Sequence, residues 1–378
     1  MSSAANPPPP PALADCGSRR MRGRDIHEAH RVATPLELLF DLVFVVAIAQ
    51  ASAQLHHGVI EHHLASALLR FGMAFFAIWW AWMNYSWFAS AYDTEDAPFR
   101  LLTLLQMVGV LIFATGIEGI FSGDFTAGVI GYAVMRVGLI AQWLRAARGD
   151  AARRRTCLRY AFGLLVVQLL WISRLALPPA WQMPSFLVFM LLDLAVPPWA
   201  ERAGGTPWHA HHIAERYSLL AIIALGECVL GAVNALAGDI AAHGWSVDIG
   251  LLGLGSASLI FSLWWIYFLV PSADALHQHR ERAFVWGYGS FFVFTSIAAI
   301  GAGLEVVADV LKTGAVAAQD AATAHGASAA AAHTVTPAQA IAFLASAQGC
   351  CLLCVWALYW YATRAVDRQI RLTAICLA

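Results

Sequence analysis

Thr34-Pro35-Leu36-Glu37-Leu38-Leu39-Phe40-Asp41-Leu42-Val43-Phe44-Val45 opens an apolar run that continues to residue 55, yet its first two turns hold two carboxylates. A helix needs about 20 mostly apolar residues to cross a bilayer. Working outward from this run, such stretches recur at roughly 34–55, 64–90, 99–121, 125–147, 157–177, 183–199, 212–238, 246–270, 283–310 and 338–362. The sixth is short. The sequence therefore reads as an all-α polytopic membrane protein with about ten transmembrane helices.

Composition agrees. Of 378 residues, 60% are hydrophobic and 12% charged, with a mean hydropathy of +0.63. Soluble domains carry about a quarter charged residues, so a water-soluble fold is excluded. The net charge of −1 conceals an uneven distribution, because all but one of the 23 basic residues are arginine and they cluster between apolar runs. No basic face suited to nucleic acid results. Seven cysteines, an odd number without framework spacing, do not indicate a disulfide scaffold.

Lys and Arg favour cytoplasmic loops, and here they alternate. One set of connections holds Arg19, Arg20, Arg22, Arg24 and Arg31; Arg100; Arg145, Arg148, Arg153, Arg154 and Arg155; Arg202; Arg280 and Arg282; and Arg364, Arg368 and Arg371. The other set holds only Lys312. This places the chain in the inner membrane with both termini cytoplasmic. Residues 1–33, with prolines from Pro7 to Pro11 followed by arginines, read as a disordered cytoplasmic tail rather than a cleavable signal. The membrane domain is 34–362, an alanine-rich external loop occupies 311–337, and 363–378 form a second cytoplasmic tail.

Weak internal similarity suggests a parallel repeat of helices 1–4 with helices 7–10. Glu37-Leu38-Leu39 corresponds to Glu215-Arg216-Tyr217, Trp79-Trp80 to Trp264-Trp265, and Gly116-Ile117-Glu118 to Gly303-Leu304-Glu305. An offset of six helices is even, so both units point the same way, as in several transporters. Small residues such as Gly226, Gly231, Gly253 and Gly255 allow close helix approach.

Ionisable groups are costly in hydrocarbon and tend to face a bundle interior or a cavity. Glu37 and Asp41 share a helix face at four-residue spacing. The seventh run carries Glu215, Arg216 and, about 18 Å further along, Glu227. Arg136 is central in the fourth run, Asp193 lies in the sixth, and Glu118 and Glu305 lie towards the outer ends of the third and ninth. The functional reading is a polar path with Glu227, Asp193 and Arg136 near the bilayer centre, Glu37, Asp41 and Glu215 at the cytoplasmic mouth, and Glu118 and Glu305 at the outer one. The plainer reading is that Arg136 pairs with a carboxylate and fixes packing, while the end residues cap or snorkel.

Histidine offers weaker signals. His209, His212 and Glu215 form an H-x-x-H-x-x-E series that fits a metal site or proton relay as well as a local turn. His56, His57, Glu61, His62 and His63 resemble a metal site in composition alone, and Cys351-Leu352-Leu353-Cys354 reads as packing. The tryptophans of runs two and eight read as belt and packing residues, or as a wall for an organic substrate. No lysine lies in a span, which excludes a retinal Schiff base, and phosphate-loop and H-E-x-x-H motifs are missing. No cofactor is called for.

The stretch Thr34–Val45 resembles the opening motif of the bacterial low temperature requirement protein A (LtrA) family. Asp93-Thr94-Glu95-Asp96 with Arg100, His212-Ile213-Ala214-Glu215-Arg216-Tyr217, and Ala224-Leu225-Gly226-Glu227 are similar to further motifs of that family, and the likeness runs from about Val32 to Tyr361. One departure is Leu269 after Tyr267-Phe268, where related sequences often carry an acid. The resemblance implies a multi-pass membrane protein without a defined substrate. The leading expectation is a secondary transporter or ion-permeation protein for a small solute or ion, with the lipid bilayer as its surroundings and an oligomer compatible with the sequence. Two alternatives stay open: an enzyme acting on lipid-linked substrates through Asp41, His212 and Glu215, and a non-catalytic sensor or scaffold.

Overall fold

A computed structural model describes residues 18–28, 31–323 and 335–363. The helices are α1 (Pro35–Ile60), α2 (Leu64–Tyr92), α3 (Ala97–Thr115), α4 (Ile117–Ser122), α5 (Thr126–Gly149), α6 (Arg154–Ser173), α7 (Pro179–Glu201), α8 (Ala210–His243), α9 (Val247–Phe268), α10 (Ser272–Gln278), α11 (Ala283–Thr323) and α12 (Pro337–Thr363). No strand occurs among the described residues. Among the described residues ten helices are long and apolar enough to cross a membrane, one for each expected run.

Local chemistry explains several boundaries. The Thr34 hydroxyl accepts from the Glu37 amide while the Glu37 carboxylate accepts from the Thr34 amide, a capping box that starts α1 with Pro35 in its first turn. Asp96 caps α3 through the Phe99 amide. The third run breaks at Gly116, where a side chain would meet the backbone of Gly128 at 2.6 Å. Close approach of α5 thus ends α3 early and leaves α4 as a separate turn and a half.

Other boundaries differ from expectation. The sixth helix is a full 23 residues despite Pro184, Pro197 and Pro198. Residues 311–323, expected in a loop, continue α11, because their alanine-rich sequence favours helix; residues 324–334 of that loop lie outside the described residues. Of the tail expected to be disordered, residues 1–17 and 29–30 lie outside them too, but 18–28 pack against the bundle. Met21 is only 2% exposed, the Arg19 amide donates to Asp96, Arg20 to the Gly149 carbonyl, and the Arg24 amide to the Ala91 carbonyl. The arginines there are held by buried acceptors. Residues 364–378, within the expected second tail, lie outside the described residues.

Helix α2 forms the centre, burying Trp79, Trp80, Trp82, Tyr85 and Phe88. Around it, α1 packs on α2 and α3, and α3 on α5; in the same order α8 packs on α9 and α11, and α11 on α12. The repeat suggested by sequence is matched by this order of neighbours. The two sets differ in cover, since α6 and α7 flank only the first. Leu254, Phe261 and Trp265 on α9, and Leu353 and Trp360 on α12, are exposed as acyl-chain-facing residues would be.

The α3–α5 contact depends on missing side chains. A Cβ on Gly109 would lie 2.6 Å from Met135 Cγ and 2.7 Å from the Gly131 carbonyl oxygen. Gly109→Leu should therefore cost about 1–3 kcal/mol, read as a lower melting temperature of the purified protein in detergent. Gly250→Leu, which meets open space, should not lower it. Equal effects would refute the close-approach explanation.

Candidate functional site: a buried ion-pair cluster joining α1, α2 and α8

Glu37 and Asp41 on α1 face His212 and Arg216 on α8. Because both pairs keep a four-residue spacing, each lies on one helix face, and the partners match in order: Glu37 with His212, Asp41 with Arg216. Each match spans 175 residues, so α1 and α8 run in the same direction in fixed register.

The guanidinium of Arg216 grips Asp41 through two parallel bonds of 2.7 and 2.8 Å, a bidentate fork of the strong charge-assisted type. The same guanidinium reaches the Ser86 hydroxyl at 3.3 Å, and the Trp82 indole N–H donates to Asp41 at 2.7 Å, so α2 joins the pair from the third side. One turn away, His212 Nε2 stands 3.1 Å from the Glu37 carboxylate. Arg31 lies 3.7 Å from both Glu37 and Asp93 and donates to the Val32 carbonyl. Three carboxylates thus meet two guanidiniums and an imidazole, with His212 and Arg216 0% exposed. Not every atom is served: Arg31 Nε, Asp93 Oδ2, His212 Nδ1 and Arg216 Nε are buried without a hydrogen-bond partner among the described residues. Each such group is costly unless a proton, water or solute reaches it.

The other expected site residues fall in separate places. Glu215, half-buried, accepts from the Ala33 amide at 3.2 Å rather than from a side chain of the cluster. Arg136 and Asp193 find each other, with both carboxylate oxygens 2.9 Å from one guanidinium nitrogen; Trp171 donates to Asp193 at 3.2 Å and Tyr132 lies beneath Arg136. Glu227 is not with them. It is buried against Gly301 of α11, on the seam that also holds Glu305, and has no hydrogen-bond partner among the described residues. The single central path expected from sequence is therefore split, because α5 packs on α3 and α6 whereas α8 packs on α9 and α11. Glu305 accepts from Asn234 at 2.9 Å, and Glu118 is exposed.

The weaker candidates do not converge. His209 accepts the His212 amide as the cap of α8, the His212 imidazole goes to Glu37, and Glu215 goes to Ala33. Among the described residues no three metal-ligating side chains come together. His56 instead ties the far end of α1 to Asp309 at 2.9 Å. Sequence reading missed Arg31, Trp82, Ser86 and Asp93 as cluster members. Arg31 was counted as one of a row of orientation-setting arginines, Trp82 as one of a belt; the signal for Asp93 was its place in the Asp93–Asp96 motif.

Ten apolar helices among the described residues, eight of them in two like-packed sets joined by buried ion pairs, define a multi-pass α-helical membrane protein. The family model described as bacterial low temperature requirement A protein (LtrA) matches residues 32–378, and the chain belongs to that family. It is also 30% identical, over 258 residues and 65% of its length, to the uncharacterized protein RA0937 of Rhizobium meliloti (strain 1021). The matched region spans 59% of that relative.

Asp93 lies just beyond the end of α2, and burial, reinforced by the charge of Glu37, pushes its carboxyl up to about 6 from 3.8. A raised folded-state value means that folding favours the protonated form, so stability should fall as pH rises from about 4 to 6 and stay lower above. Asp93→Asn removes that dependence. Its melting temperature in detergent should exceed the parent's at pH 7.5, with the gap closing towards pH 4; a gap independent of pH would contradict the assignment.

Proposed function

We propose that the protein is an inner-membrane secondary transporter or ion-permeation protein, its arginine-rich end and both termini facing the cytoplasm, with α8 as the helix that couples charge to movement. The observation that carries this reading is the distribution of buried charge on α8. His212 and Arg216 lock onto α1 near one end, and Glu227, about 22 Å beyond His212 at helical rise, stands in the α8–α11 seam without a hydrogen-bond partner. Ionisable side chains in a bilayer interior are functional-site candidates by default, and ion and proton routes are where they recur. Glu227 packs against Gly301, but its carboxylate makes no ion pair among the described residues that would account for a charge there.

The cluster gives such a device its second element. Proton or cation occupancy of Glu227 biases α8 against α11, while the Asp41–Arg216 fork and the Glu37–His212 pair hold α8 against α1. Unserved atoms on Arg31, Asp93, His212 and Arg216 support rearrangement there. The enzymatic alternative lacks an equivalent observation: Asp41, His212 and Glu215 are turned to Arg216, Glu37 and Ala33 respectively.

The test is dissipation of an imposed pH gradient in proteoliposomes, followed by an entrapped pH dye with sodium or potassium chloride outside. Parent protein should speed dissipation over empty vesicles, and Glu227→Gln should slow that rate at least tenfold while melting near the parent temperature. An unchanged rate in the variant would remove Glu227 from the function.

A further inference from the structure

Two cavities follow one another along α2 and α7, the first walled also by α3, α4, α5 and α6 and the second by α5, α6 and α11. The first is lined by Met73, Phe76 and Ala77 of α2, Phe186 and Asp193 of α7, and Arg174 just after α6. The second is lined by Met83, Asn84 and Trp87 of α2, Pro197 and Glu201 of α7, and Arg280 before α11. Each encloses about 60 Å³, room for about two waters or for the few heavy atoms of a small organic molecule.

The chemistry also matches. Arg174, only 2% exposed, lies 4.0 Å above the Phe125 ring and 5.5 Å from Phe186. Its Nε and Nη2 both donate to the Gln182 carbonyl, leaving Nη1 without a hydrogen-bond partner and the charge without a carboxylate among the described residues. Arg70 lies near the same Phe125 ring and, among the described residues, donates to the Ile120 carbonyl alone. The one acid in the cavity, Asp193, is taken by Arg136 and Trp171. In the second cavity Arg280 lies 3.7 Å above Trp208 and donates to its carbonyl, while Glu201 is occupied by Tyr160 and Thr206. Each cavity therefore offers a guanidinium on an aromatic face, apolar walls and an acid already neutralised or hydrogen-bonded. Arg174 is buried without a carboxylate among the described residues, whereas Arg280 is half-buried with the hydrogen-bonded Glu201 near it; both guanidiniums can take a carboxylate, and the walls favour a short hydrocarbon body.

Between the cavities stands an aromatic wall. Trp80 is 6.0 Å from Phe76 of the first and 5.5 Å from Tyr288 of the second, and the Tyr288 hydroxyl bridges to the Leu194 carbonyl of α7. The indole N–H groups of Trp79 and Trp80 are buried there with no acceptor among the described residues.

We propose that the two cavities are binding sites for a short-chain monocarboxylate, one towards each end of the bundle, with Trp79, Trp80 and Tyr288 as the barrier between them. Movement of the ligand from one to the other rests on the transport reading above; its binding does not. The outer guanidinium and the inner one take the same carboxylate head, and both cavities are small enough to select a short chain.

Calorimetric titration of the full-length protein in detergent with sodium propionate, against sodium chloride as control, tests the sites. Saturable heat is expected for propionate and none for chloride. Arg174→Gln should weaken binding at the first cavity at least tenfold, and Ala77→Leu, which fills it without touching charge, should do the same, with melting temperatures checking that each variant is folded. No propionate heat beyond chloride's, or unaltered binding in both folded variants, would overturn the proposal. Labelled-propionate counterflow in proteoliposomes separates the two readings. Binding without counterflow upholds the sites and overturns transport of this ligand; rapid pH-gradient dissipation without propionate binding overturns the sites and leaves the role of Glu227 standing.

Discussion

The fork between Asp41 and Arg216 is the interaction on which the rest of the arrangement depends. Neither charge could be left alone where it lies, since an unpaired buried ion costs several kcal/mol. Two parallel bonds fix both the distance and the rotation of α1 relative to α8, and the Trp82 indole and Ser86 hydroxyl add α2 to the same point. Lipid supplies no hydrophobic drive between helices, so packing and polar contacts must decide which helices meet. A bidentate pair decides it with more directional force than an apolar contact.

Much follows from that register. With α1 and α8 parallel and level, the helices that follow each can repeat the same order of neighbours, and α2 becomes the shared centre. Placing α6 and α7 on one side only helps to wall the two cavities along α2 and α7, and leaves α9 and α12 with broad apolar faces outward. The cluster, the Arg136–Asp193 pair and Glu227 then occupy three separate stations rather than one channel.

The fold was largely legible because the bilayer imposes a length and a composition on every span, and the ten runs and the paired carboxylates of Glu37 and Asp41 stand out from their apolar surroundings. Pairing was less legible. Arg136 clearly needed a carboxylate, but hydropathy does not give helix rotation, so Asp193 could not be separated from Glu227 as its neighbour. Arg174 escaped notice for a different reason: it ends a run, and its partners are a carbonyl and aromatic rings, which leave no charge pattern in sequence. The packed segment 18–28 was hidden in the same way, since arginines held by backbone acceptors look like any solvated basic tail.

The most direct measurement is a double-mutant cycle on the fork, with Asp41→Leu, Arg216→Met and the combined variant unfolded reversibly in mixed micelles. If the pair sets the register of α1 and α8, each single change strands a buried charge and should lose about 3–5 kcal/mol, while the double variant should recover most of that loss. Losses that simply add would show that the two side chains do not act on each other, and would contradict the account.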